Sequence, residues 1–173
     1  MYLLMTPPLV WEIDGGQNPA ELLESLRLIC KPGDKIVLGG YDTSVEVQKK
    51  LELIGAISPN PPDGIRLDVS CYEFNSKEWP RARAFEVIFS DQIIEELKRL
   101  CRVPKGGGVK DIFYDDLAAY SVDPLPSPLI DFNHATSGGG LCHLNTSIPE
   151  AKIVEFSKSL GMTPRLVKYP PDW

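Results

Sequence analysis

Lys35-Ile36-Val37-Leu38-Gly39-Gly40 is the stretch on which the fold turns. Three apolar residues run unbroken between a turn, Lys31-Pro32-Gly33-Asp34, and a glycine pair. Successive side chains of a strand point to opposite faces, so a half-buried strand alternates apolar and polar residues. An unbroken run marks a strand covered on both faces, the usual state of a parallel strand flanked by helices. Gly39-Gly40-Tyr41-Asp42 then turns the chain. Thr43, paired with Glu46 in a capping box, and Ser44 compete to open a helix there. Val47, Leu51 and Ile54 form its apolar stripe, and Gly55 stops it.

The pattern extends in both directions. Upstream, Tyr2–Met5 and Leu9–Ile13 are two apolar runs broken by Pro7-Pro8, at least one of which should be a strand, and Asn18-Pro19-Ala20-Glu21 opens a helix that buries Leu22, Leu23, Leu26, Ile29 and Cys30. Downstream, Ile65, Leu67, Val69 and Cys71 alternate with Arg66, Asp68 and Ser70, as in a half-buried antiparallel or edge strand. Phe85 to Phe89 is a further strand, capped by Ser90 or Asp91 into a third helix with Ile93, Ile94, Leu97, Leu100 and Cys101 on its face. The spacing allows a short helix over 111–120, a proline-rich connector over 123–128, a short strand at Leu129–Phe132, a fourth helix over 148–160 and a last strand over 164–169. Alternating strands and helices predict one α/β (or α+β) domain. Its sheet is expected to be mixed and mostly parallel, with about five to seven strands, four helices and right-handed crossovers at Leu38 and Phe89.

Length and composition agree with a single domain. A chain of 173 residues buries roughly 70% of its unfolded surface without staples. No apolar span approaches membrane length, and the first residues lack the basic region of a secretory signal. Cys30, Cys71, Cys101 and Cys142 are far apart and form no C-x-x-C pair, which predicts free, buried thiols and a cytoplasmic location. The net charge is −6, with no basic patch interleaved with aromatics. Neither nucleic acid nor a membrane is the expected partner.

Chemistry-bearing residues concentrate in Asp131–Ser147, which holds both histidines, a carboxylate, a thiol, several hydroxyls and the glycines 138–140. Asp131, His134, His143 and Ser137 are the candidate catalytic residues: a carboxylate to orient, a histidine to move protons, a hydroxyl to attack. A strand through Cys142-His143 would point these two side chains apart, which removes Cys142 as the partner of that histidine. In an open parallel sheet, ligands bind beyond the carboxyl ends of the strands, where helix N-termini attract anions. That rule selects Gly39, Gly40, Thr43 and Ser44 at one strand end and Gly139, Gly140, Thr146 and Ser147 at another as ligand-binding candidates. The plain reading of these caps is that each closes its own helix, contributing about 1 kcal/mol. A loop histidine is, by the same plain reading, simply solvated.

No metal site or cofactor motif is expected. Two functions follow, from different classes. The first is an acidic regulatory or inhibitor-like module that binds a partner protein, which accounts for acidity, compactness and the lack of a complete catalytic motif. The second is a small hydrolase or transferase acting on a phosphate- or carboxylate-bearing small molecule through the 131–147 stretch. Neither partner, substrate nor oligomeric state is written in the chain.

Overall fold

Two serines show how the helices start. Ser44 accepts a hydrogen bond from the backbone N–H of Val47 at 3.2 Å, and Ser90 one from Ile93 at 3.1 Å. Each satisfies a donor that the first helical turn leaves without an internal partner. The helices so opened are α2 (Val45–Leu53) and α3 (Asp91–Leu100). Gly55, at φ +91°, ends α2 in a conformation that residues with a Cβ avoid. α1 (Pro19–Ser25) tightens into a 3-10 turn at Leu26–Leu28, and α4 spans Glu150–Ser159. The computed structural model describes residues 9–14, 19–40, 43–62, 82–101, 114–133 and 141–168. The expected strand over 65–71, Cys71 and Asn18 lie outside them.

The described strands are β1 (Leu9–Asp14), β2 (Lys35–Gly40), β3 (Arg83–Ile88), β4 (Asp116–Ser121), β5 (Ser127–Asn133), β6 (Leu141–Asn145) and β7 (Arg165–Lys168). They form one sheet in the order β3-β2-β4-β5-β6-β1-β7, and every neighbouring pair is antiparallel. The mostly parallel sheet expected from the sequence is therefore wrong. The burial behind that expectation is real: Ile36 and Val37 are fully buried and Leu38 is 1% exposed. A central antiparallel strand covered on both faces gives the same unbroken apolar run, so the run reports burial and not direction.

One other expectation fails for a related reason. The segment from Asp116 is a strand, β4, and not the short helix read over 111–120. Ala118 and Ala119 suit a helix by propensity, but here they pack flat against β2 and β5. The crossover expected at Leu38 leads toward the strand read over 65–71, outside the described residues; after α2 the chain bridges β3 antiparallel at Ile57–Glu86, on the edge away from β2. The one expected at Phe89 takes a different shape. β3 and β4 run the same way but flank β2, so β3-α3-β4 is a split crossover with an antiparallel strand between its arms. β6-α4-β7 repeats the device around β1.

The two faces of the sheet differ. One carries Ile13, Ile36, Leu38, Val87, Leu117, Ala119, Ile130, Phe132, Cys142 and Leu144, and these form the main core with Leu22, Leu23, Leu26, Val47, Leu51, Ile94, Leu97, Ile153 and Phe156 from the helices. Trp11 packs on the same core. Each large apolar side chain buried there contributes about 1.5–3 kcal/mol. Ion pairs tie α3 to the first helical segment: Lys98 reaches Glu24 at 2.8 Å, and Arg27 reaches Glu95 at 2.7 Å as well as Asp91. The opposite face holds the residues of chemical interest.

Candidate functional site

Register builds a row across that second face. Directly paired residues on antiparallel neighbours share a face, with Cβ atoms about 4.5–5.5 Å apart. Glu86 pairs with Val37, Val37 with Ala118, Ala118 with Asp131, Asp131 with His143, His143 with Glu12, and Glu12 with Arg165. One side chain from each of the seven strands thus lies in a line. Val37 and Ala118 form an apolar gap between Glu86 at one end and the polar run Asp131, His143, Glu12 and Arg165 at the other.

The hydrogen bonds fix the right-hand end of the row. His143 Nε2 lies 2.9 Å from Glu12 Oε2. Arg165 Nε donates to Glu12 Oε1 at 2.8 Å, and Nη2 donates to the same oxygen. The His143 and Glu12 side chains are 13% and 12% exposed, so the pair is largely withdrawn from water. Burial acts to raise the Glu12 carboxyl, but the hydrogen bonds from His143 and Arg165 outweigh it and hold the group below its ordinary range. At the other end, Tyr120 donates its hydroxyl to Glu86 Oε1 at 2.5 Å, with both residues buried. Asp116, fully buried, stands on the same face one pair along from Ala118.

The candidate residues fall into three groups. Asp131 and His143 are brought together as direct cross-strand partners. Asp131 is buried, and the ring nitrogen of His143 is held by Glu12. His134, Ser137, Gly139 and Gly140 lie outside the described residues. The remaining ligand-binding candidates are separated. Gly39 and Gly40 end β2 on the side of the sheet where Asp116, Asn133 and Leu141 lie, and Thr43 and Ser44 follow from there. Thr146 and Ser147 follow Asn145 at the opposite side, where β1 begins. An all-antiparallel sheet sends consecutive strand ends to opposite sides, so the two sets do not share one mouth.

Local contacts complete the account. Ser44 serves as the cap of α2, and Thr43 is buried. The expected cap role of Thr146-Ser147 for α4 is not the one seen: the Asn145 side chain accepts from the Ser147 N–H at 2.9 Å, and Pro149 precedes the helix. Cys142 faces the core, away from His143, and burial together with the Asp131 charge pushes its thiol far up, which disarms it as a nucleophile. Cys30 and Cys101 are likewise free and buried. Among the described residues, no three histidine, cysteine or acidic side chains are grouped to hold a metal ion.

Sequence reasoning missed Glu12 and Arg165. The only trace of Glu12 was a charged residue inside an apolar run, Val10-Trp11-Glu12-Ile13, and its partner is more than a hundred positions away.

A concave surface lies elsewhere, between α2 and α3. A groove of about 350 Å³ is lined by Lys50, Leu53 and Ile54 from the end of α2 and by Glu96, Arg99 and Leu100 from α3. Each helix contributes residues at i, i+3 and i+4, which share one helical face. Ile54 and Leu100 continue down into the core, while Leu53 stands 86% exposed at the rim.

No known protein family, curated protein or solved structure matches this chain. Among the described residues, no helix is long and apolar enough to cross a membrane.

Proposed function

We propose that this protein is a cytoplasmic protein-binding module of regulatory or inhibitor-like type, and that the α2–α3 groove is its contact surface. The observation that carries the reading is Leu53. Leu53 is 86% exposed and stands beside Ile54 and Leu100, so the groove offers a partner a contiguous apolar contact. The three described cysteines, free and buried, support a reducing compartment. Leu53→Asp tests the reading. The full chain is used as bait, with Val154→Asp in α4 as the control at another exposed apolar position. Wild type and the Val154 variant should retain the same partner, identified by mass spectrometry, and the Leu53 variant should lose it. Equal retention by all three ends the proposal.

A second reading, a small hydrolase or transferase acting on an anionic small molecule, draws on the ordered Asp131, His143, Glu12 and Arg165 row. It ranks second because the same face carries Glu86 and Asp116, so the local field opposes an anion. His143→Gln, assayed against phosphate- and carboxylate-ester substrates, would raise it only if wild-type turnover exists and disappears in the variant.

A further inference from the structure

We propose that the turn 31–34 is an acid-closed latch: with a proton on the buried Asp34 carboxyl the turn holds the β3–α3 junction, and loss of that proton loosens it. The inference is independent of the α2–α3 groove.

The turn makes bonds in three directions. Pro32 and Gly33, the latter at φ +96°, take the central positions of a type II arrangement. Asp34 N–H donates to Lys31 O at 3.1 Å, and Lys31 N–H donates back to Asp34 Oδ2 at 2.8 Å. Phe89 N–H donates to Asp34 O at 2.7 Å, and Gly33 N–H donates to Phe89 O at 3.3 Å. Lys31 Nζ donates to the backbone oxygen of Asp123 at 2.8 Å. Phe89 lies between the last residue of β3 and Ser90, the cap of α3. The turn thus ties the start of β2 to the entry of α3 and to the connector between β4 and β5.

Its carboxyl is poorly placed for a charge. Asp34 is 2% exposed, and no described residue donates to Oδ1. A buried carboxylate with an unsatisfied oxygen is costly; a proton removes the charge while Oδ2 still accepts from Lys31. Burial raises the carboxyl above its ordinary range, and the Lys31 N–H bond and ammonium act the other way without cancelling it. The ionisable groups on the elements packed here are Cys30, Lys31 and Lys35 on its own segment, Asp91 on α3 and Asp123 on the connector. Cys30 is a buried thiol pushed up by burial and by the Asp34 charge, and Asp91 is engaged by Arg27. Lys31 is the cation that acts on the carboxyl, and its ammonium is already committed to Asp123 O. An ionised Asp34 therefore gains most by turning toward water, and the bonds of Gly33 and Asp34 to Phe89 oppose that movement.

Linkage sets the sign. The folded value lies above the unfolded one, so the proton favours the closed latch. That stabilisation is complete below the unfolded carboxyl range, about 3.9, and is lost as pH rises through the folded value.

The test uses the full chain. Carbon-13 NMR of the Asp34 carboxyl, assigned by its absence in Asp34→Asn, should give a midpoint above the ordinary aspartate value of about 3.9. Hydrogen-exchange protection of the Gly33 and Phe89 amides, corrected for the intrinsic rate, should be several-fold higher at about pH 5 than at about pH 7.5, with the Val47 amide at the start of α2 unchanged. Asp34→Asn keeps an acceptor for the Lys31 N–H and carries no charge. It should show high protection at both pH values and exceed wild type in urea stability at the higher one. A midpoint at or below the ordinary value overturns the proposal. So does protection that ignores pH, that changes equally at Val47, or whose pH dependence survives Asp34→Asn. Should the variant fail to fold, the wild-type titration and exchange decide on their own.

Discussion

Replacing His143 with alanine removes one of the two side chains that hold the Glu12 carboxylate. The cost can be worked from the surroundings. Both side chains are nearly nine-tenths buried, and a hydrogen bond to a charged group contributes about 1.5–3 kcal/mol net. Arg165 remains on Glu12 Oε1 in the variant, so the carboxylate is not stranded and the loss falls at the low end, about 1.5–2 kcal/mol. For a chain of this length about 2–4 °C accompanies each kcal/mol, which predicts a fall in Tm of about 3–8 °C. Thermal unfolding at neutral pH measures that shift, and urea unfolding read by tryptophan fluorescence measures the free energy. A double-mutant cycle with Glu12→Gln isolates the pair, and a coupling of about 0.5 kcal/mol or more is expected. The pH dependence supplies the sign. Glu12 is held below its ordinary value in the folded state, so its stabilising contribution is present above the unfolded carboxyl range, around 4.3, and is lost as pH falls through that range toward the depressed folded value. The difference between wild type and His143→Ala should narrow over the same interval. A variant as stable as wild type, with no coupling, would mean that the row does not hold the sheet together and that His143 is kept for another purpose.

Three further outcomes follow from the local geometry. Ser44→Ala and Ser90→Ala should each destabilise by about 1 kcal/mol, and the double variant by their sum, since the caps belong to different helices; denaturant midpoints check this, and a strongly non-additive result would refute it. Gly55→Ala should cost about 1–2 kcal/mol although no atom stands within 4 Å of the added Cβ, because the cost is the positive φ; Gly55→Asn should recover part of it, and an alanine variant of wild-type stability would contradict the assigned turn. Cys30, Cys101 and Cys142 should resist alkylation in the native state and react only on unfolding, with burial pushing the Cys30 and Cys142 thiols up; rapid native labelling of Cys142, mapped by mass spectrometry, would show that β6 does not lie with that residue against the core.

The parts legible in the chain were those written locally. Ser90 with the stripe from Ile93 to Cys101 specified α3 within a single turn of its ends, and Gly55 marked the stop of α2. Strand direction is not a local property. Ile36, Val37 and Leu38 report that two faces are covered, and the same residues satisfy either kind of ladder. Asp116–Ser121 was hidden for a different reason: its alanines prefer a helix weakly, and pairing with both β2 and β5 outweighs that preference. The polar row was half visible. Asp131 and His143 stand within one short stretch, but their row mates Glu12, Arg165 and Glu86 come from strands that only the sheet order brings alongside.

The split crossover around β1 also sets a timetable for synthesis. Among the described strands β1 is made before the others, yet its two neighbours in the sheet, β6 and β7, follow all the rest. At about 5–20 residues per second, Val10, Trp11 and Ile13 wait on the order of ten seconds for either of these two strands. β4, β5 and β6, by contrast, are neighbours in sequence as well as in the sheet and can pair as each is made. The nascent protein therefore carries an early apolar strand whose two native neighbours are not yet made, a target for chaperone binding that is lost once β6 and β7 close around β1.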